Sequence, residues 1–218
     1  MYQSKTSSFT ITTCLNNLVV IALFLFAMNS ATAQENASTN DTWKKMHEIL
    51  QNLKSPSFPN KTFNIVDYGA KPNSSFDNSS IINKVIQDCS KKGGGVVLVP
   101  KGKFLSSAIH LDNNVNLHLE EGAEIIFSTN PNDYLPLVHT TFEGTECMNY
   151  SPLIYAYQKT NVDITGKGTL NGQANNSNWW AWCGKDFYGW KEGMPNQKKD
   201  IEILMDMGEK GIAVADRV

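Results

Sequence analysis

The chain has 218 residues, a net charge of -2 and an apolar fraction of 41%, enough for one domain with a sizeable core. Near-balanced charge gives no basic field for nucleic acid, and with Arg217 as the only arginine there is almost no material for gripping phosphate. The composition excludes a nucleic-acid binder and implies no partner of that kind.

Leu18 to Met28 (LVVIALFLFAM) is an apolar core preceded by Lys5 and followed by Ala31-Thr32-Ala33, the small-x-small pattern of a cleavage site. It is short of the about 20 residues a membrane span needs. Residues 1–33 therefore read as a signal peptide, which predicts a secreted protein (extracellular, cell wall or periplasm) with no membrane attachment after cleavage. Residues 34–61 read as a polar leader. Within it Trp43 to Lys54 places Trp43, Met46, Ile49, Leu50 and Leu53 at helical spacing, with Asp41 or Thr42 as the cap. Ser55-Pro56 and Phe58-Pro59 end that helix.

The main domain, residues 62–218, opens with a strand at Phe63-Asn64-Ile65-Val66 and a turn at Asp67-Tyr68-Gly69. Asp77 to Ser90 is helical, capped by Asp77, with Ile81, Ile82, Val85, Ile86 and Cys89 on one stripe. Gly93-Gly94-Gly95 follows a helix and precedes a strand, the reverse of a phosphate loop, so it reads as a structural turn. From there short Val/Ile/Leu runs alternate with Gly, Asn, Pro or charged corners: Val96–Val99, Val115–Leu119, Glu124–Phe127, Leu153–Ala156 and onward to Leu170. Alternation in Val115-Asn116-Leu117-His118-Leu119 buries one face of each strand and wets the other. Strands this short cannot each hold a core, and the corners leave no room for crossover helices. A stacked coil, an all-β solenoid with the helix at residues 77–90 as its lid, satisfies both constraints.

The coil is interrupted by a loop holding Phe142, Glu143, Glu146, Cys147 and Tyr150, and long loops are where solenoids place binding surfaces. Beyond Gly172, Trp179, Trp180, Trp182, Phe187, Tyr188 and Trp190 crowd together without a period. Such planes fill gaps between loops or stack on sugar rings, and packing is the favoured reading. Asp200 to Met207 is a short helix over the coil. In an exported chain Cys89, Cys147 and Cys183 remain, an odd set, with either one bridge, Cys147 to Cys183, or three unpaired thiols. Sequons at Asn36, Asn40, Asn60, Asn73, Asn78, Asn149 and Asn175 are candidate glycosylation sites in a eukaryotic source.

FNIVDYGA, GGGVVLVPKGKF, VNLHLEEGAEIIFS, CMNYSPLIYA and NVDITGKGTLNGQ, followed by Trp179-Trp180, resemble the N-terminal part of glycoside hydrolase family 28, the polygalacturonases, and its exo-acting, rhamnogalacturonase-like branch. The resemblance implies a right-handed parallel β-helix of the pectin-lyase-like kind. It implies inverting general acid/base hydrolysis of α-linked galacturonic acid in pectin, with a pectic polysaccharide as partner, no cofactor and a monomeric full-length protein. In the family the acids lie in Asn-Thr-Asp and Asp-Asp motifs, supported by Gly-His-Gly and Arg-Ile-Lys. None of these motifs occurs here. Glu120-Glu121, Glu143 and Glu146 read as solvated carboxylates, and His47, His110, His118 and His139 show no metal-ligand spacing, so no metal site is assigned. The expectation is a hydrolase truncated at its C-terminus, with its catalytic residues downstream of Val218 and a rim of the substrate groove retained at Glu146, Tyr150, Trp179, Trp180 and Trp182. The alternatives are a non-catalytic carbohydrate-binding solenoid, or a calcium-dependent pectate lyase on the same architecture.

Overall fold

The computed structural model describes residues 43–73 and 75–217, and the chain divides between Ser55 and Pro56 into two units. The leader cleavage site, Asn36, Asn40 and the cap at Asp41 or Thr42 lie outside the described residues. In the first unit, α1 spans residues 43–52, two residues short of the expected end, and His47 Nδ1 lies 2.7 Å from the Trp43 carbonyl.

The second unit begins with β1 (Thr62–Asn64) and continues through α2 (Ser79–Lys91), β2 (Gly95–Val99), β3 (Gly102–Ser106), β4 (Ile109–His110), β5 (Val115–Leu119) and β6 (Ala123–Phe127). A hairpin of β7 (Val138–Phe142) and β8 (Thr145–Asn149) then intervenes before β9 (Ile154–Tyr155), β10 (Asp163–Gly166) and β11 (Thr169–Asn171). The chain ends in 3-10 turns at Trp179–Cys183 and Asp186–Tyr188, α3 (Lys198–Glu209), and a last turn at Val214–Asp216. Among the described residues three ladders are parallel, β1-β2-β5-β10, β3-β6-β11 and β4-β9, and only β7-β8 is antiparallel. Each pass along the chain visits the ladders in the same order, so Val96 pairs with Asn116, which pairs in turn with Asp163.

Alternation does what the sequence predicts in β2, β5 and β6, where every second side chain is buried. Val97 and Leu117 stack in one column, Phe104 and Ile125 in another, all fully buried. Fully burying one such side chain contributes roughly 1.5–3 kcal/mol. The first strand is shorter than expected, because Ile65–Tyr68 winds into a 3-10 turn once the Asn64 side chain accepts the Val66 N–H at 3.0 Å.

α2 starts two residues later than expected. Asn78 rather than Asp77 stands at its N-cap, without a side-chain cap bond, and Asp77 accepts the Ser79 N–H at 2.9 Å from one residue further out. Ile82, Val85, Ile86 and Cys89 are buried against β2, β4 and the turn at 65–68, so α2 covers the core at the β2 end. Two asparagines stitch it there. Asn78 accepts the Lys71 N–H at 2.8 Å and donates to the Lys71, Phe76 and Leu105 carbonyls, while Asn83 donates to the Ala108 carbonyl and accepts the His110 N–H.

The triple glycine is a corner, as its order along the chain predicts. Gly94, Asn114 and Asn161 occupy one register position in three successive passes, all at positive φ (94°, 61° and 53°). Asn161 Nδ2 donates to Asn114 Oδ1 at 3.0 Å, and the Asn161 amide also clasps the Ser57 backbone. At the top of this stack a side chain has no space, since a Cβ on Gly94 would lie 2.4 Å from the Asn114 carbonyl oxygen.

Candidate functional site

Residues between β6 and β9 leave the coil, and the sequence places turn formers at each bend. Asn130-Pro131-Asn132 opens a 3-10 turn in which the Asn130 side chain accepts the Asn132 N–H at 3.2 Å. Tyr134 ends that turn fully buried and donates its hydroxyl to the Ser128 carbonyl at 2.6 Å. Burial and the nearby Asp133 push its phenol up to about 12, so it stays a neutral donor. The expected loop is instead the hairpin β7-β8, turning at Glu143-Gly144 with φ of 46° and 89°. Glu146 therefore lies in a strand and only Glu143 in a turn. Two five-residue runs separated by two residues carried this signal, and the polar side chains in them obscured it.

α3 does not lie over the coil as the sequence suggested. It packs on β8, with Thr145 Oγ1 donating to Met205 Sδ at 3.3 Å, and the Arg217 carbonyl accepts the Met148 N–H at 2.8 Å on the same strand. Ile201, Ile203 and Leu204 of α3 and Phe142 and Met148 of the hairpin line one cleft between them. The Gln197 N–H donates to the Trp182 carbonyl at 3.0 Å and ties the start of α3 to the tryptophan turn.

Between these parts lies a cleft of about 780 Å³, bordered by Tyr134, Tyr150, Trp179, Trp182, Asn196 and Asp200, a size suited to a small ligand. Trp179 meets Trp182 at 5.0 Å between ring centroids and Tyr134 edge-on at 6.3 Å. Its Nε1–H is buried without a partner, and its φ is 30°. An unmatched buried donor costs about 1–3 kcal/mol.

Of the expected rim residues, the structure brings Tyr150, Trp179 and Trp182 together and leaves two outside. Glu146 pairs with His139 at 3.2 Å away from the cleft, and Trp180, 49% exposed, does not line it. Tyr134, Asn149, Asn196, Gln197 and Asp200 line the cleft unforeseen, since nothing periodic connects them along the chain. Trp190 is a packing residue, donating Nε1–H to the Met194 carbonyl at 3.0 Å.

The cysteine bridge is corrected: Cys89, Cys147 and Cys183 are all free. Cys147 is buried in β8, the strand on which α3 packs, while Cys183 ends the tryptophan turn on a different segment. Burial pushes the Cys89 thiol up to about 11 and raises that of Cys147, which makes both unreactive. Asn78 is corrected as a glycosylation candidate, because it is fully buried with its amide committed to backbone. Asn60, Asn73, Asn149 and Asn175 are exposed.

The histidines act within the scaffold. His118 faces outward from β5 with Nδ1 2.7 Å from Thr165 Oγ1, which itself donates to Asn116 Oδ1. His110 lies beside Tyr155 with Nε2 3.1 Å from Ser151 Oγ, and burial lowers its pKa. Glu124 is held ionised by the Asn171 amide at 2.8 Å and by Lys103 at 3.3 Å. Among the described residues no three His, Cys, Asp or Glu side chains stand close enough together to hold a metal ion.

Short parallel strands stacked in register, with an aromatic cleft built outside them on a hairpin and a helix, define the class: a parallel-β protein whose pocket is separate from its core. The rhamnogalacturonase A/epimerase, pectate lyase-like family matches residues 62–118. An exopolygalacturonase from Thermotoga maritima is 45% identical with a TM-score of 0.76, over 79% of this chain and 38% of its own. The exo-poly-alpha-D-galacturonosidase of Dickeya chrysanthemi is 32% identical over 120 residues, 51% of this chain and 19% of that protein. The polygalacturonase of Malus domestica is 26% identical over 140 residues, 63% of this chain and 27% of that protein. Each of these relatives is named as a polygalacturonase or an exo-acting galacturonosidase, and the similarity of this chain to them lies within the shares just given. The chain spans well under half the length of each.

Proposed function

We propose that this chain is part of a secreted family 28 glycoside hydrolase, a right-handed parallel β-helix that cleaves α-linked galacturonic acid in pectin by inverting general acid/base hydrolysis. The observation that carries the reading is the 45% identity to an exopolygalacturonase across 79% of the chain. In this reading the catalytic carboxylates sit on further coils, and two features support that. The sequence lacks the Asn-Thr-Asp, Asp-Asp, Gly-His-Gly and Arg-Ile-Lys motifs of the family. The core columns also run on to side chains that no described residue fully covers: Ile164 continues Val97–Leu117 and Leu170 continues Phe104–Ile125, yet each is 42% exposed. The retained part contributes contacts to the pectic chain through Tyr150, Trp179 and Trp182.

The test uses the purified 218-residue chain in two assays. It is expected to migrate more slowly in native gels containing pectin and to release no reducing ends from polygalacturonate. Unretarded migration removes the pectin reading, and release of reducing ends overturns the absence of the catalytic acids.

A further inference from the structure

We propose that the cleft between the hairpin and α3 seats an uncharged unit of pectin, a methyl-esterified galacturonosyl residue, and discriminates against the free uronate. The inference rests on the pectin reading above and adds a chemical preference to it. Trp179, Trp182 and Tyr150 give the cleft aromatic walls, with the buried Tyr134 packed edge-on behind Trp179, and the C–H faces of a pyranose pack well on such planes. Asn149, Asn196 and Gln197 line the same space; the amide oxygens of the first two accept the Tyr150 and Lys198 N–H groups, which leaves their NH2 groups to donate to ring hydroxyls.

Charge decides which sugar fits. Among the described residues Asp200 is the only charged side chain lining this cleft, and also the only one lining a contiguous cleft of about 550 Å³ that shares Phe142, Asn149, Tyr150, Gln197 and Asp200 with it. No Lys, Arg or His among the described residues borders either space. A free uronate would enter facing a like charge with no cation to neutralise it, which opposes binding. Esterification removes that repulsion and leaves Asp200 free to accept a hydroxyl proton in a charge-assisted hydrogen bond. The contiguous cleft is lined by Leu135, Leu137, Ile201 and Leu204, an apolar seat for the ester methyl.

The experiment titrates the 218-residue chain, followed by tryptophan fluorescence and calorimetry, with three probes: fully methyl-esterified trigalacturonate, unesterified trigalacturonate and galactotriose. The esterified probe is expected to bind at least about tenfold more tightly than the free acid, a difference of about 1.4 kcal/mol. Asp200→Asn is expected to narrow that gap from both sides, strengthening the free acid by removing the like charge and weakening the ester by removing the charge-assisted acceptor. Trp182→Ala is expected to abolish the fluorescence response. Asp200 is exposed, so its isosteric variant keeps the test valid if the tryptophan variant fails to fold. Equal or tighter binding of the free acid, or an Asp200→Asn variant with an unchanged gap, overturns the proposal. Galactotriose binding as tightly as the ester overturns the assignment of the occupant. Retention in pectin gels alongside any of these results removes this inference alone, whereas loss of retention removes the reading beneath it.

Discussion

His110 shows how one side chain links burial to conditions. Its ring is packed beside Tyr155, its Nε2 lies 3.1 Å from the Ser151 hydroxyl, and burial lowers its pKa below the ordinary 6.5. A histidine depressed in the folded state binds fewer protons there than in the unfolded chain, so its contribution to stability is present above pH 6.5 and is lost as pH falls through the folded value. Asp112 is also depressed; its burial opposes this, but bonds from Lys159 and the Asn113 N–H outweigh it, and its loss begins only below its ordinary 3.8. The two windows are therefore separable. Urea midpoints measured from pH 7 to pH 5 are expected to fall for the native sequence and to flatten in His110→Gln; an unchanged slope would show that the neutral imidazole is not what the fold requires. Asn78 makes a related point. Its sequon invites a glycan, and its four buried hydrogen bonds remove it from the surface.

Corners matter at the scale of the element as much as strands do. The Gly94, Asn114 and Asn161 stack repeats a left-handed conformation in three passes, and asparagine serves where a side chain can reach its neighbour along the stack. Gly94 has no such room. A β-carbon there meets the Asn114 carbonyl at 2.4 Å, whereas one on Gly93 meets nothing within 4 Å, although both have φ above 90°. Gly93→Ala should cost about 1–2 kcal/mol for the backbone conformation alone. Gly94→Ala should cost more than about 3 kcal/mol, since clash adds to strain. Equal shifts in urea midpoint would refute the close approach. The hairpin and α3 were harder to read than these corners. Val138–Phe142 carries His and two Thr beside its apolar residues, so neither period stands out, and the partner of α3 is a strand some fifty residues earlier in the chain, which no local pattern points to.

For the whole molecule, the decisive asymmetry is that α2 covers the core at one end while Ile164 and Leu170 leave it open at the other. β10 and β11 are edge strands of their ladders, so unpaired backbone groups lie beside exposed apolar side chains among the described residues. Such an edge is a template for another strand. The 218-residue chain is expected to self-associate as its concentration rises in sedimentation velocity, and Ile164→Lys with Leu170→Lys is expected to restore a single monomeric boundary. Persistence of the larger species in that double variant would place the contact elsewhere.

What the sequence by itself determined is whatever depends on neighbours along the chain: the alternating strands, the glycine corner, the apolar stripe of α2 and the motifs that match family 28. Period and turn chemistry are local, and stacking short amphipathic strands was the arrangement that could bury them. Tertiary structure alone decided which distant side chains meet. It gathered Tyr134, Tyr150, Trp182 and Asp200 around one cleft, sent Glu146 to His139, kept the cysteines apart and buried Asn78. Each of these turns on the direction of a side chain after the hairpin and α3 have docked, and contacts across such separations leave no trace in spacing or composition.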